Sequence, residues 1–381
     1  MFFPPKAMPD NPVVYQLMPS GPHIKWWRVL LGIPAFALTY MLLAFALVIA
    51  FVPVYGLDNL NQLGNGNIDL QDPTQLAFLT LSLAIAIIVS YLAFVLSFGI
   101  KPGFLGSVAG KLRWSWMAIA FLISGFFSFV LIFGTAVVDS GDLPQFNPNP
   151  RLALMLILIV CLVPLQSAAE EYVFRGYLPH LISALLPWRN VALAVGLVAS
   201  TLLFAAAHGS FDPSTFTQLG SFAVVAWVLT YRTGGLEAAI AFHAMNNTVI
   251  FILEMFIGKS DSLVGKDTVT PWSGTIITMI AMLIEGAVLL WAYGKWEARK
   301  SERMHLTNPA LRPVPTRGFL YSAYQRGEFY PEHFLSYPPA VQAQMVQLYP
   351  YLQAQLPAGG QPLVSPQAGV PVAEQAPYQQ Y

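Results

Sequence analysis

The sequence predicts an all-α polytopic membrane protein, and three observations predict it. Hydrophobic residues make up 56% of the 381 and charged residues only 10%, where soluble domains carry roughly a quarter charged. Eight stretches reach or approach the ~20 apolar residues that a helix needs to cross a bilayer. They are residues 26–54, 76–100, 114–138, 152–186, 191–208, 219–231, 236–257 and 276–296. The Lys and Arg between these stretches are uneven: of 19, 15 fall on one side, 3 on the other and 1 inside a span.

Each element follows from its composition. Residues 1–25 hold six prolines where a cleaved leader needs an apolar helix, so they read as a Pro-rich disordered segment rather than a signal peptide. Residues 26–296 read as the transmembrane helical domain, about eight helices with a long fourth stretch and a short sixth. Residues 297–381 begin basic and become rich in Pro, Gln and Tyr. They lack the aliphatic side chains that offset ordering entropy, which predicts a disordered tail. A short amphipathic helix over 340–355 and a partner bound by the tail are compatible with that composition.

An even number of spans puts both termini on one side. The excess of Lys and Arg makes that side cytoplasmic, in an integral multi-pass protein of the cell membrane. The 19 acidic residues balance the 19 basic ones, which leaves no basic surface for nucleic acid. A single cysteine, Cys161, excludes an internal disulfide and a Cys-rich zinc site.

Ionisable groups inside a bilayer cost at least about 2.5 kcal/mol each at its centre, so those in the spans need a reason. The fourth stretch carries Glu170, Glu171 and Arg175 in SAAEEYVFRGYL. Glu171 and Arg175 are four apart and share a face, in the favourable acid-before-base order. Glu170 points about 100° away and finds no cation on its own helix, so it is the candidate general base. The fifth stretch ends with Phe204 and His208, four apart, and the seventh carries His243 and Asn247, also four apart. If the fourth and fifth stretches turn near residues 187–190, Glu170 and His208 each lie about 28 Å from the turn, at one level. The bland reading takes these groups as ties between helices, His208 as an interfacial histidine and His243–Asn247 as an interhelical hydrogen-bond pair. Glu237 and Glu285 read as facing a pore or cavity.

The order EExxxR, FxxxH and HxxxN on successive apolar helices resembles the CPBP family of membrane proteases, related to the type II CAAX prenyl endopeptidases. The FRG after the glutamates and the HAMNN of the seventh stretch are similar to the family too. The resemblance covers residues 150–255. It implies an endopeptidase cutting a peptide bond in a peptide or membrane-anchored protein, at or within the bilayer. It also implies roles: Glu170 and His208 activate a water, His243 and Asn247 hold the oxyanion, and Arg175 holds Glu171 in place. Such enzymes are described both as zinc metalloproteases and as glutamate-type proteases. If zinc were the cofactor, His208, His243 and Glu170 or Glu171 would bind it. There is no HExxH, and the chemistry reads more readily as a metal-free glutamate.

Two other function classes fit the same composition. Buried Glu and His also make proton relays in coupled transporters, and Glu237, Glu254 and Glu285 would extend such a path. No inverted repeat or paired broken helix of the transporter kind is visible. A non-catalytic scaffold is favoured by the tail alone.

Overall fold

The computed structural model describes residues 14–19, 24–56, 69–140, 145–186, 188–258 and 270–306, with residues 342, 345 and 346 of the tail. Among these, regular structure is helical apart from one isolated bridge between Ser107 and Gly235. The helices are α1 (Trp26–Tyr55), α2 (Pro73–Phe98), α3 (Trp114–Ser140), α4 (Leu152–Glu171), α5 (Leu178–Leu185), α6 (Arg189–Ala207), α7 (Pro213–Thr233), α8 (Glu237–Ile257) and α9 (Trp272–Leu306). A π-helical turn, Tyr172–Tyr177, joins α4 to α5, so that Leu152–Leu185 forms one 34-residue apolar rod.

Seven of these elements are long and apolar enough to cross a membrane: α1, α2, α3, the α4–α5 rod, α6, α8 and α9. They carry their large apolar side chains outward, Leu122, Ile157 and Leu283 among them at 77%, 62% and 62% exposure. In water so much exposed apolar surface marks a binding site or a liability; in lipid it is the ordinary solvent-facing side. The chain is an all-α polytopic membrane protein. The expected sixth stretch, 219–231, is part of α7, which is a helix but falls outside those seven. Ser, Thr and Gln dilute its first turns, and its apolar residues Phe222, Ala223, Ala226 and Leu229 are buried inside the protein.

Local chemistry sets the helix ends. Asp72 accepts from the backbone N–H of Thr74 and Gln75, with Pro73 behind it at the first helical position, so α2 starts there. Asp212 and Pro213 repeat the device for α7, and Gly234, at φ 69°, ends that helix in the left-handed conformation. Asp212 is held below the usual carboxylate range by hydrogen bonds from the Ser214 hydroxyl and the Thr215 backbone.

In the bundle α4 packs between α2 and α8, α1 lies outside α2, and α3 packs on α8 and α9. Helix α6 packs on α5 and α7, and α7 on α8 and α9. The turn between α7 and α8 is clamped to the loop before α3. Val108 N donates to the Gly234 carbonyl at 2.9 Å and Leu236 N to the Gly106 carbonyl at 2.9 Å. Arg113 donates to both oxygens of Glu237, at 2.8 and 2.6 Å, and to the Thr233 carbonyl at 2.8 Å and the Tyr293 hydroxyl at 2.9 Å. Burial alone would lower the Arg113 pKa, but Glu237 beside it raises it, so the guanidinium stays charged. Glu237 is therefore half of a buried ion pair, not a pore-facing group as its position in the sequence suggests.

Of the Pro-rich segment 1–25, residues 14–19, 24 and 25 are described. Tyr15–Leu17 forms a 3-10 turn in which every side chain is buried. The Tyr15 hydroxyl donates to the Leu105 carbonyl, and the Tyr15 carbonyl accepts from His180 Nε2 at 2.9 Å. Aromatic burial in a pocket of α2 and α5 overrides the proline content there. Residues 1–13 and 20–23 lie outside the described residues. Helix α9 runs to Leu306, ten residues past the expected end of the last span at 296; most of the tail, with nearly all of 340–355, lies outside the described residues.

Candidate active site

The candidate site forms where α4, the π turn, α6 and α8 meet. A π turn carries one extra residue for its height, and such turns recur at functional sites. Here it follows Glu171 directly and contains Arg175.

Glu171 and Arg175 are fully buried, and Arg175 Nη1 donates to Glu171 Oε1 at 3.0 Å. The expected four-residue pairing is present although the intervening turn is π rather than α. Across the helix interface His243 Nδ1 lies 2.8 Å from the same Oε1. A carboxylate can only accept, so Nδ1 carries a proton. This fixes the ring of His243, which is 2% exposed, and turns Nε2 the other way. Nε2 lies 3.8 Å from Glu170 Oε2. The two adjacent glutamates thus address the two nitrogens of one imidazole: Glu171 buried, bonded and paired with a cation, Glu170 partly open with its side chain 15% exposed.

Aromatic rings form the wall behind this group. The Arg175 guanidinium lies over the Phe204 ring, 4.3 Å from its centroid, a cation–π contact. Phe204 and Phe222 stack at 5.7 Å and both meet the His243 ring edge-on, at 5.7 and 5.0 Å. His208, half-buried at the end of α6, packs on Phe204 at 4.7 Å, and its Nδ1 donates to the Phe204 carbonyl at 2.9 Å. It is therefore joined to His243 through the Phe204 ring. The imidazole set against Glu170 is that of His243.

Asn247, one turn along α8 from His243, directs Nδ2 at Ser167 Oγ, 3.4 Å away, and its Oδ1 accepts from Asn246 Nδ2 at 3.1 Å. Two residues here escape the sequence reading. Gln166, one turn before Glu170, donates from Nε2 to Glu170 Oε1, and Ser167 donates to Gln166 Oε1 at 3.4 Å. Their signal was present in the i, i+4 spacing of Gln166 and Glu170. A search for a cation partner passes over a neutral amide.

His243 Nδ1 is committed to Glu171 and His208 Nδ1 to a backbone carbonyl, so Nε2 of each ring is the nitrogen a zinc would take, as in metal-bound imidazoles that donate their other N–H to a carboxylate or carbonyl. Among the described residues no three His, Cys, Asp or Glu are grouped as a metal site needs.

Comparison with known proteins adds a family resemblance. Residues 149–249 match the family model described as "Type II CAAX prenyl endopeptidase Rce1-like". The matched stretch contains every site residue named above, from Gln166 to Asn247. The chain is also similar to "Uncharacterized protein YyaK" of Bacillus subtilis (strain 168), with 27% identity over 227 residues that cover 53% of this chain and 71% of the relative. No solved structure matches it.

Proposed function

We propose that this membrane protein is an intramembrane endopeptidase of the CAAX-protease type, hydrolysing a peptide bond in a membrane-anchored protein or peptide. One observation carries the reading. Within the Rce1-like stretch, Glu170 Oε2 faces His243 Nε2 at 3.8 Å while Glu171 holds the opposite nitrogen of that ring at 2.8 Å. A carboxylate open on one side, beside an imidazole fixed from behind, suits acid–base work on a water molecule.

In this mechanism Glu170 Oε2 takes a proton from water, and the oxygen attacks the scissile carbonyl carbon. The carbonyl oxygen becomes the oxyanion. Asn247 Nδ2 donates to it, and so does His243 Nε2 when its ring carries two protons. Collapse breaks the C–N bond, and the amine leaves with the proton that Glu170 held. Glu171 and Arg175 keep the His243 ring in register. His208 is assigned as a second group on the attacking water, and no step passes through a metal. We place both termini in the cytoplasm and the protein in the cell membrane, from the Lys and Arg asymmetry and with α7 taken as an eighth crossing beside the seven long apolar helices. The proton-relay alternative is weakened by Glu237, whose carboxylate is taken by Arg113.

The test is cleavage of a membrane-tethered peptide by the purified protein and by Glu170→Ala and His208→Ala. Loss of cleavage in both, with folding intact, supports the reading; full activity of Glu170→Ala removes it as the base. Cleavage should survive a strong chelator, and inhibition reversed by added zinc would overturn the metal-free mechanism.

A further inference from the structure

The hydrolysis outlined above leaves Gln166 without a role, although the residue is only 8% exposed and touches the base. Its amide is used in two directions. Nε2 donates to Glu170 Oε1, and Oε1 accepts from the fully buried Ser167 hydroxyl at 3.4 Å. The Ser167 oxygen accepts from Asn247 Nδ2 at 3.4 Å, and Asn247 Oδ1 accepts from Asn246 Nδ2 at 3.1 Å. Along this chain each donor points toward the carboxylate.

The polarity follows from the carboxylate end. An ionised carboxylate only accepts, so Gln166 turns its NH2 to Glu170 and its carbonyl to Ser167. Ser167 then has its one proton committed and a lone pair left for Asn247. Asn247 gives one N–H to Ser167 and keeps the second for another acceptor. Gln166 also settles which oxygen of Glu170 is available. Oε1 is occupied by the amide, so Oε2, which faces His243 Nε2 at 3.8 Å, is free to accept a proton.

We propose that Gln166 is a positioning residue of this site. It holds Glu170 so that Oε2 receives the water proton, and through Ser167 it sets the amide orientation of Asn247, so that base and oxyanion donor are registered to each other across the α4–α8 interface. The proposal rests on the endopeptidase reading. It adds that a neutral side chain touching no substrate controls the turnover step.

The experiment is steady-state cleavage of a membrane-tethered peptide by the wild type, Glu170→Ala, Gln166→Met, Ser167→Ala and the Gln166→Met/Ser167→Ala double variant, each with its melting temperature. Methionine keeps the volume and removes the amide. The expected result is a kcat about 10- to 100-fold below wild type for Gln166→Met, with KM unchanged and melting unchanged, because small misplacements of a reacting group cost that much. Ser167→Ala loses less, and the double variant is no worse than Gln166→Met, since Ser167 acts through the Gln166 amide. A folded Gln166→Met with wild-type kcat, or one that raises KM alone, overturns the proposal; so do fully additive losses in the double variant. If Gln166→Met does not fold, Ser167→Ala decides, a kcat loss at constant KM supporting the proposal and wild-type turnover overturning it. A wild-type protein that cleaves nothing, or an active Glu170→Ala, defeats the endopeptidase reading instead, so the two failures are told apart.

Discussion

Burial and pairing divide adjacent residues in this site. Glu170 and Glu171 are neighbours in sequence, yet Glu171 is sealed between Arg175 and His243 while Glu170 is partly open. Removing one member of a buried ion pair strands the other charge, at about 3–5 kcal/mol, whereas replacing both by apolar residues is often close to neutral. Arg175→Met should therefore lower the melting temperature sharply, and Glu171→Met/Arg175→Met should recover much of the loss while leaving the protein inactive. A double variant that melts no higher than Arg175→Met would contradict the pairing. Asn247→Ala should lower kcat about 100- to 1,000-fold, the usual loss of an oxyanion donor, with melting unchanged; steady-state kinetics check both. The Glu171–Arg175 pair is legible in the sequence because four-residue spacing on a helix is a local rule. The bond from His243 to Glu171 is not, since it joins positions 72 apart that only tertiary packing brings together.

Helix ends and one irregular turn give the site its geometry. The clamp of Arg113 on Glu237 fixes the start of α8 six residues before His243, and it spans 124 positions of sequence. No periodicity announces such a pair, which is why Glu237 reads as a lone acid from the sequence and is found satisfied in the structure. Arg113→Ala should destabilise the protein by about 3–5 kcal/mol, by the same logic of a stranded buried charge, read as a fall in melting temperature. Gly235 belongs to this clamp: a Cβ there would press on the Ser107 side chain and the Arg113 guanidinium, within 2.5 and 2.7 Å. Gly235→Ala should accordingly cost nearly as much as Arg113→Ala, and wild-type melting of Gly235→Ala would show that the clamp is loose. The apolar stretches announce the long helices well, because each span is set by lipid thickness. They miss the π turn, since its extra residue leaves no compositional trace, and they do not show that much of α7, Phe222, Ala226 and Leu229 among it, is buried against protein.

For the whole molecule, the candidate chemistry lies on α4, the π turn, α6 and α8, all inside residues 149–249 that match the Rce1-like family model. The surrounding spans supply the lipid-facing shell and the back wall. Every site residue named above precedes α9, so a chain ending at residue 306 should cleave a membrane-tethered peptide at the wild-type rate. Complete loss of cleavage would make the tail part of the catalytic unit. The most direct measurement is kcat for Glu170→Gln in lipid vesicles against a membrane-anchored peptide, because this substitution keeps the shape and removes only the ability to take a proton. A fall of about 100- to 10,000-fold with the fold intact is expected of a general base, and turnover within a few fold of wild type would contradict it.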